Sequence, residues 1–296
     1  MLVSTSTDSL KGMALGLIGV LMFSPTLPLN RIAVEHFSPA IVAEARLLLA
    51  GLCALVILYL VRQPWPSPRQ FVALMITGLG IGPGFAYFSA LAMTSASSVY
   101  GSVMLGLLPL ATALFTALFG FERPSRGFWL VAIIGVILVL WFASLQVDDL
   151  TLANQALFAA VGSAALGYAV GGRLSQTLGG WQVICWSLVM CLPLVIWPVF
   201  DSWSTMPFQV PFRAWASLLY LCVFSQLIGF FFWYRGLALG GIAKVGQIQL
   251  LQPFFTLVIA SILLSEPIGL TAVIFATAIC LVVWISKKMP VMRVPE

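Results

Sequence analysis

Apolar residues run through this chain in long blocks that short polar joints separate. Ten blocks can be drawn, over residues 12–32, 39–61, 70–90, 97–119, 126–145, 152–172, 180–200, 212–234, 243–264 and 269–286. A helix needs about 20 apolar residues to cross a bilayer, and each block is close to that length. Within a block the apolar residues are continuous rather than alternating, which predicts helices and excludes a β-barrel. The joints carry helix breakers: Gln63-Pro64-Trp65-Pro66, Arg123-Pro124, Asp148-Asp149, Gly171-Gly172, Pro207 and Pro211, Gly240-Gly241, and Pro267. The expected fold is an all-α polytopic membrane protein with ten transmembrane helices.

The pattern repeats. PLATALFTALFGFE, from Pro109 to Glu122, and PFFTLVIASILLSE, from Pro253 to Glu266, share Pro, then Thr three positions on, an apolar run, and a closing Glu. Tyr87-Phe-Ser-Ala-Leu-Ala matches Tyr234-Arg-Gly-Leu-Ala-Leu, and Arg31 followed by Ser38 matches Arg173 followed by Gly180. The repeat unit is five spans. Five is odd, so the second copy must enter the membrane from the opposite side. Two inverted halves are expected, residues 1–148 with spans 1–5 and residues 149–296 with spans 6–10. Such halves enclose one central site with a gate on each face, as in many secondary transporters.

Composition agrees with lipid as the solvent. Hydrophobic residues make up 61% of the chain, charged ones 8%, and mean hydropathy is +1.08. A soluble domain carries about 25% charge. The net charge of +5 reports topology rather than nucleic acid, because the cations sit in short joints. With the N-terminus inside, eleven Lys and Arg fall on inner joints and tails, and only Arg31 and Arg213 on outer ones. That bias predicts cytoplasmic termini at a cell inner (plasma) membrane. The five cysteines fall inside spans without C-x-x-C spacing and read as small buried hydrophobes. No cleaved signal peptide is evident.

Enzyme chemistry finds no support. There is no H-E-x-x-H, no phosphate-cradling glycine loop and no Ser/His/Asp set, and His36 is the only histidine. No metal and no cofactor are expected. The deepest charges are Glu44 and Arg46, in span two. An ionisable residue at depth is a functional candidate, so both are proposed to bind substrate. Gln247, Gln249 and Gln252 precede Pro253, with Gln249, Gln252 and Thr256 on one helical face. Together with Gln226 in span eight, these amides must avoid lipid and can donate and accept to a polar solute. Tyr87, Tyr100, Trp186 and Tyr234 are candidate pocket walls, with Tyr168 and Trp233 beside them. Pro109 and Pro253 lie mid-span, where a proline frees a carbonyl and bends the helix. They and Gly82, in the cluster Gly78–Gly84, are candidate gating elements. Glu122 and Glu266 are expected to fix turns into the next helix. Spans five and ten lack polar and small faces and read as lipid-facing.

These motifs resemble the drug/metabolite transporter superfamily, and within it the ten-span EamA-type exporters. The resemblance rests on the paired Pro…Glu motifs, on Ser38-Pro39…Ala45-Arg46 at the start of span two, and on Tyr87…Ala90-Leu91 leading into Thr94-Ser95-Ala96-Ser97. It implies a basket-like bundle whose cavity is built by spans 1–4 and 6–9, with spans 5 and 10 outside. It also implies export of amino acids and other small metabolites. The second copy has Leu188 where the first has Arg46. The expected activity is alternating-access export of small metabolites, amino acids above all, driven by the solute's gradient or by protons rather than ATP. Glu44 is the one titratable group at depth for proton coupling. The alternatives are export of drugs, sugars or nucleotide derivatives, and a non-transporting membrane protein. A single Arg46 argues against phosphorylated substrates, which need clustered cations. The expected partners are a small-molecule substrate and lipid, not nucleic acid, with a monomer as the working assembly.

Overall fold

Serines placed before prolines start two of the helices. Ser38 accepts the backbone N–H of Ile41 and begins α3 (Pro39–Leu60). Ser67 accepts from Gln70, whose side chain returns a bond to Ser67, and begins α4 (Pro68–Leu79). Each hydroxyl satisfies an amide that the first helical turn leaves free, and proline fits there because it has no N–H to lose.

The computed structural model describes residues 6–145, 151–204, 209–240, 245–246, 248–288 and 291–293. The remaining helices are α1 (Ser6–Phe23), α2 (Thr26–Val34), α5 (Phe85–Ala92), α6 (Ser98–Leu105), α7 (Leu108–Leu118), α8 (Arg126–Ser144) and α9 (Thr151–Leu178). They continue with α10 (Gly180–Cys191), α11 (Pro193–Ser204), α12 (Phe212–Tyr220), α13 (Gly229–Gly240), α14 (Gln252–Leu264) and α15 (Leu270–Lys288). Wide π-type turns, Gly80–Gly84 and Leu221–Ile228, join α4 to α5 and α12 to α13. Two short strands, β1 (Glu122–Pro124) and β2 (Val291–Arg293), pair antiparallel.

Among the described residues six helical stretches are long and apolar enough to cross a membrane: Leu10–Val34, Pro39–Leu60, Pro68–Ala92, Ser98–Leu118, Leu152–Leu178 and Phe212–Gly240. The pair α10–α11, bent by 47°, makes a seventh if read as one span, and three shorter apolar helices accompany them. The chain is a polytopic, all-helical membrane protein in its main body. Large apolar side chains stay exposed along α8 and α15, including Leu130, Ile133, Ile137, Trp141, Ile274 and Leu281. A surface of that kind is stable against lipid and not against water.

Helices from the two ends of the sequence interleave. α1 packs on α13, α3 on α10, α4 and α5 on α9, α6 on α14, and α8 on α15. The α1–α13 contact is backbone to backbone: a Cβ on Gly12 would sit 2.6 Å from the Gly240 nitrogen. Small residues allow that approach, and dispersion then replaces the hydrophobic drive that lipid removes. At one end of the bundle, Arg31 Nη1 donates to the Met93 carbonyl (2.6 Å) at the C-terminus of α5. Nearby, both carboxylate oxygens of Glu266 accept the free amides of Ser98 (3.0 Å) and Val99 (2.9 Å). The helix dipole favours a cation in the first place and an anion in the second. Glu266 therefore fixes the start of α6, in the opposite half of the sequence, rather than only its own turn.

Candidate functional site

Arg46 is the eighth residue of α3, so helical rise puts it about 11 Å along that helix. Its side chain is 1% exposed. Nη2 donates to Gln226 Oε1 at 2.9 Å and to Ser225 Oγ at 3.4 Å. Ser225 and Gln226 are consecutive and lie within the Leu221–Ile228 π turn. An extra residue per turn shifts the side-chain register, and both neighbours reach the same guanidinium. The ring of Phe85 faces the guanidinium carbon at 5.8 Å.

The second π turn completes the link. At its end the Phe85 N–H bonds the carbonyls of Gly80 and Gly82 and passes over Ile81. The Ile81 carbonyl instead accepts Gln226 Nε2 at 3.0 Å. Gln226 thus ties α3 to both π turns with one amide. Gly82 is the point where the helical path breaks, and its nearest side-chain neighbour is Leu47, next to Arg46.

Further hydroxyls extend the cluster. Thr26, in the first turn of α2, shares a 2.9 Å hydrogen bond with Ser225. Thr256 in α14 donates to the Ser24 carbonyl at 2.9 Å, in the break between α1 and α2. Asn30, one turn beyond Thr26, donates to Ser89 at 3.0 Å. Tyr168 of α9 is buried and packs edge-on against Phe230 at 5.9 Å. Several polar atoms here are buried with no hydrogen-bond partner among the described residues: Arg46 Nε and Nη1, Gln249 Nε2, Asn30 Oδ1 and Gln252 Oε1. Most buried polar groups in proteins are paired, so these atoms are exceptions to the usual rule.

The sequence candidates separate into a central set and a peripheral one. Arg46 and Gln226 belong to the cluster, with Gln249 buried in the turn before α14 and Gln252 one turn before Thr256 on that helix. Gln247 lies outside the described residues. Glu44 turns away from Arg46, and its Oε1 accepts Ser202 Oγ of α11 at 3.1 Å. Tyr100 donates to Asn154 Oδ1 and stacks on Phe142 at 5.2 Å, holding α6 to α8 and α9. Tyr234 is fully buried and donates to the Gly167 carbonyl at 3.1 Å, which holds α13 to α9. Tyr87 is 38% exposed beside Phe88. Trp186 packs against Trp65 at 4.9 Å and lines a recess of about 510 Å³ with Tyr59, Arg62 and Gln63. Pro109 and Pro253 each stand in the first turn of a new helix, α7 and α14, just after a break in the span. The Glu122 side chain is outside the described set.

Sequence reasoning passed over Thr26, Asn30, Ser89 and Ser225. One signal was available: Pro28 lacks the N–H that the Ser24 carbonyl would accept in a helix, and Thr256 takes that carbonyl.

The EamA-like transporter family model matches this chain twice, over residues 10–144 and 151–287. The uncharacterized transporter YdeK of Bacillus subtilis (strain 168) is 46% identical over 272 residues, covering 90% of this chain and 93% of that protein. Two further uncharacterized transporters of the same organism align over most of their length: YyaM at 26% identity, 95% of this chain and 94% of its own, and YvbV at 27%, 90% of each. A solved crystal structure, 16% identical, superimposes with a TM-score of 0.63 over 93% of this chain and 95% of that one, a likeness of fold.

Proposed function

We propose, from the premise that this chain belongs to the EamA-like transporter family and is a membrane transporter rather than an enzyme, that it exports small polar metabolites, amino acids above all, by alternating access. The observation that carries this reading is the buried cluster around Arg46. It draws Thr26, Arg46 and the Ile81 carbonyl from the first half of the sequence and Ser225 and Gln226 from the second. A transporter built from repeats holds its substrate where the repeats meet, in discontinuous helices.

The helix pairings support ten crossings in two inverted repeats, residues 1–148 and 149–296. A twofold relating span n to span n+5 carries the pair 1–8 into the pair 6–3. It returns 2–7, 4–9 and 5–10 to themselves. The packing of α1 on α13 and of α9 on α4 and α5 is the first relation, and α3 on α10, α6 on α14 and α8 on α15 are the second. Both termini then lie in the cytoplasm, in accord with the Lys and Arg bias. The membrane is the cell's inner membrane. Pro109, Pro253 and Gly82 are the places where the spans bend to open one gate while the other closes.

The test is solute flux with purified protein in liposomes, using a panel of labelled amino acids, sugars and drugs and no ATP. Flux of at least one amino acid above protein-free vesicles is expected. Flux of drugs or sugars alone would move the substrate class, and no flux of any panel member would overturn the reading.

A further inference from the structure

The guanidinium of Arg46 has only one nitrogen engaged. Nη2 bonds Gln226 and Ser225, and both acceptors are neutral. Nε and Nη1 are buried and unpartnered among the described residues. The Phe85 face offers partial compensation at 5.8 Å, and among the described residues no carboxylate is bonded to any of the three nitrogens. A buried charge normally finds a counter-charge or a full set of hydrogen bonds, because its desolvation is otherwise not repaid. Gln249 Nε2 is a second buried donor without a partner among the described residues, in the short turn Ile248–Leu251 that leads into α14.

The orphan acceptors are of a different kind. Asn30 Oδ1 and Gln252 Oε1 are neutral amide oxygens, whereas the unpartnered Glu44 Oε2 belongs to a carboxylate held by Ser202 of α11. Glu44 is the acid closest in sequence, but two residues along a helix is about 200° of rotation. Its carboxylate accordingly meets Ser202 on another face. The cluster therefore offers a full positive charge to one end of a zwitterion and only dipoles to the other. Hydrogen bonds with an ionised partner are about twice as strong as neutral ones, and strongest when both partners are ionised.

We infer that the cluster recognises its substrate by a carboxylate, received on the Arg46 guanidinium through the N–H groups that Gln226 and Ser225 leave free, and that the substrate's ammonium group is the weaker determinant. This rests on the amino-acid reading above and adds which end of the molecule is indispensable. Nε and Nη1 have no solvent contact as packed, so the carboxylate reaches them when the helices part. The same step that opens the path exposes the charge that attracts the substrate. Asn30 Oδ1 or Gln252 Oε1 accepts from the ammonium.

The experiment is thermal unfolding of the detergent-purified protein with each of the twenty L-amino acids at fixed ionic strength. The amino acid that raises the midpoint most is then compared with its own amide and with its deaminated acid. The amide is expected to lose affinity by about 100-fold and the deaminated acid by less than about tenfold, the order that a charged donor and neutral acceptors impose. An amide that binds as well as its parent overturns the inference, and so does a midpoint that no amino acid moves. Arg46→Lys keeps the charge but loses the planar fork. It should weaken the acid and leave the already weak amide as it was; equal weakening of both would make Arg46 a packing residue. Failure of the transport reading is visible separately. Carboxylate-selective binding without amino-acid flux sinks that reading and leaves this inference standing, whereas flux of acid and amide at equal rates does the reverse.

Discussion

α3 and the pair α10–α11 hold equivalent places in the two halves and are built on opposite plans. α3 runs 22 residues without interruption and buries Glu44 and Arg46. α10 ends at Cys191, Pro193 opens α11, and the two are bent by 47°. Where α3 has Glu44 and Arg46, the second copy has Trp186 and Leu188, both buried. The difference teaches that a repeated scaffold need not carry repeated chemistry. A buried cation is costly, and the second copy carries apolar side chains at the matching positions instead. The straight helix holds its charge at a fixed depth. The bent one leaves an aromatic recess at Trp65 and Trp186.

The sharpest way to break that comparison is to exchange the two side chains. Leu188→Arg places a charge among fully buried apolar residues such as Val183, Ile184 and Cys185. The expected loss of stability is about 3–5 kcal/mol, the cost of an uncompensated buried charge. It should appear as a collapse of the monodisperse peak in size-exclusion chromatography. Arg46→Leu is the converse. It removes an already uncompensated charge and leaves only neutral Gln226 Oε1 and Ser225 short of a donor, so stability should move by less than about 2 kcal/mol. Transport should nevertheless fall by about 100-fold or more, because on the proposed reading the charge that binds the substrate has gone. A well-folded Arg46→Leu protein with ordinary flux would show that the charged helix and its apolar twin are interchangeable.

Gln226→Leu asks whether α3 depends on its neighbours. This change takes an acceptor from Arg46 Nη2 and a donor from the Ile81 carbonyl. Each buried group left unpaired costs about 1–3 kcal/mol. A drop of about 2–4 kcal/mol is expected on that basis, read as a lower thermal midpoint.

Much of the architecture could be read from the sequence, because in lipid the apolar run itself is the element. The α3 span was expected over 39–61 and is found at Pro39–Leu60. α9 is longer than the expected 152–172, because Gly171-Gly172 was read as a breaker. A Cβ at Gly171 would meet the Tyr234 ring, so glycine there permits close packing rather than ending the helix. The break between α10 and α11 was missed, although Pro193 stands in the sequence. The cluster was half legible. Arg46 and Gln226 stand out in any apolar segment, whereas Thr26 and Ser225 do not. A hydroxyl in a helix can bond its own preceding turn, as Ser102 does to Val99 and Thr112 to Leu108. Whether it does so or reaches across to another helix depends on packing that sequence spacing alone does not encode.

Two milder changes sharpen the contrast between charges that act and charges that hold. Glu266 accepts two backbone amides at the start of α6, so Glu266→Ala should cost about 1–2 kcal/mol, as the loss of a helix cap does. Glu266→Gln keeps one acceptor oxygen and should recover about half of that.

Glu44→Gln is expected to have the smallest effect on folding. The amide oxygen can still accept the Ser202 hydroxyl, and the substitution removes a carboxylate whose Oε2 has no partner among the described residues. Stability should change by less than about 1 kcal/mol, because one neutral hydrogen bond replaces one charge-assisted bond. Its effect on transport then separates the two charges of α3. If flux driven by a solute gradient persists while a pH gradient no longer accelerates it, Glu44 handles the coupling proton and Arg46 the substrate. If flux vanishes in a protein that is still folded, the two residues form one binding unit, and the division of labour along α3 fails.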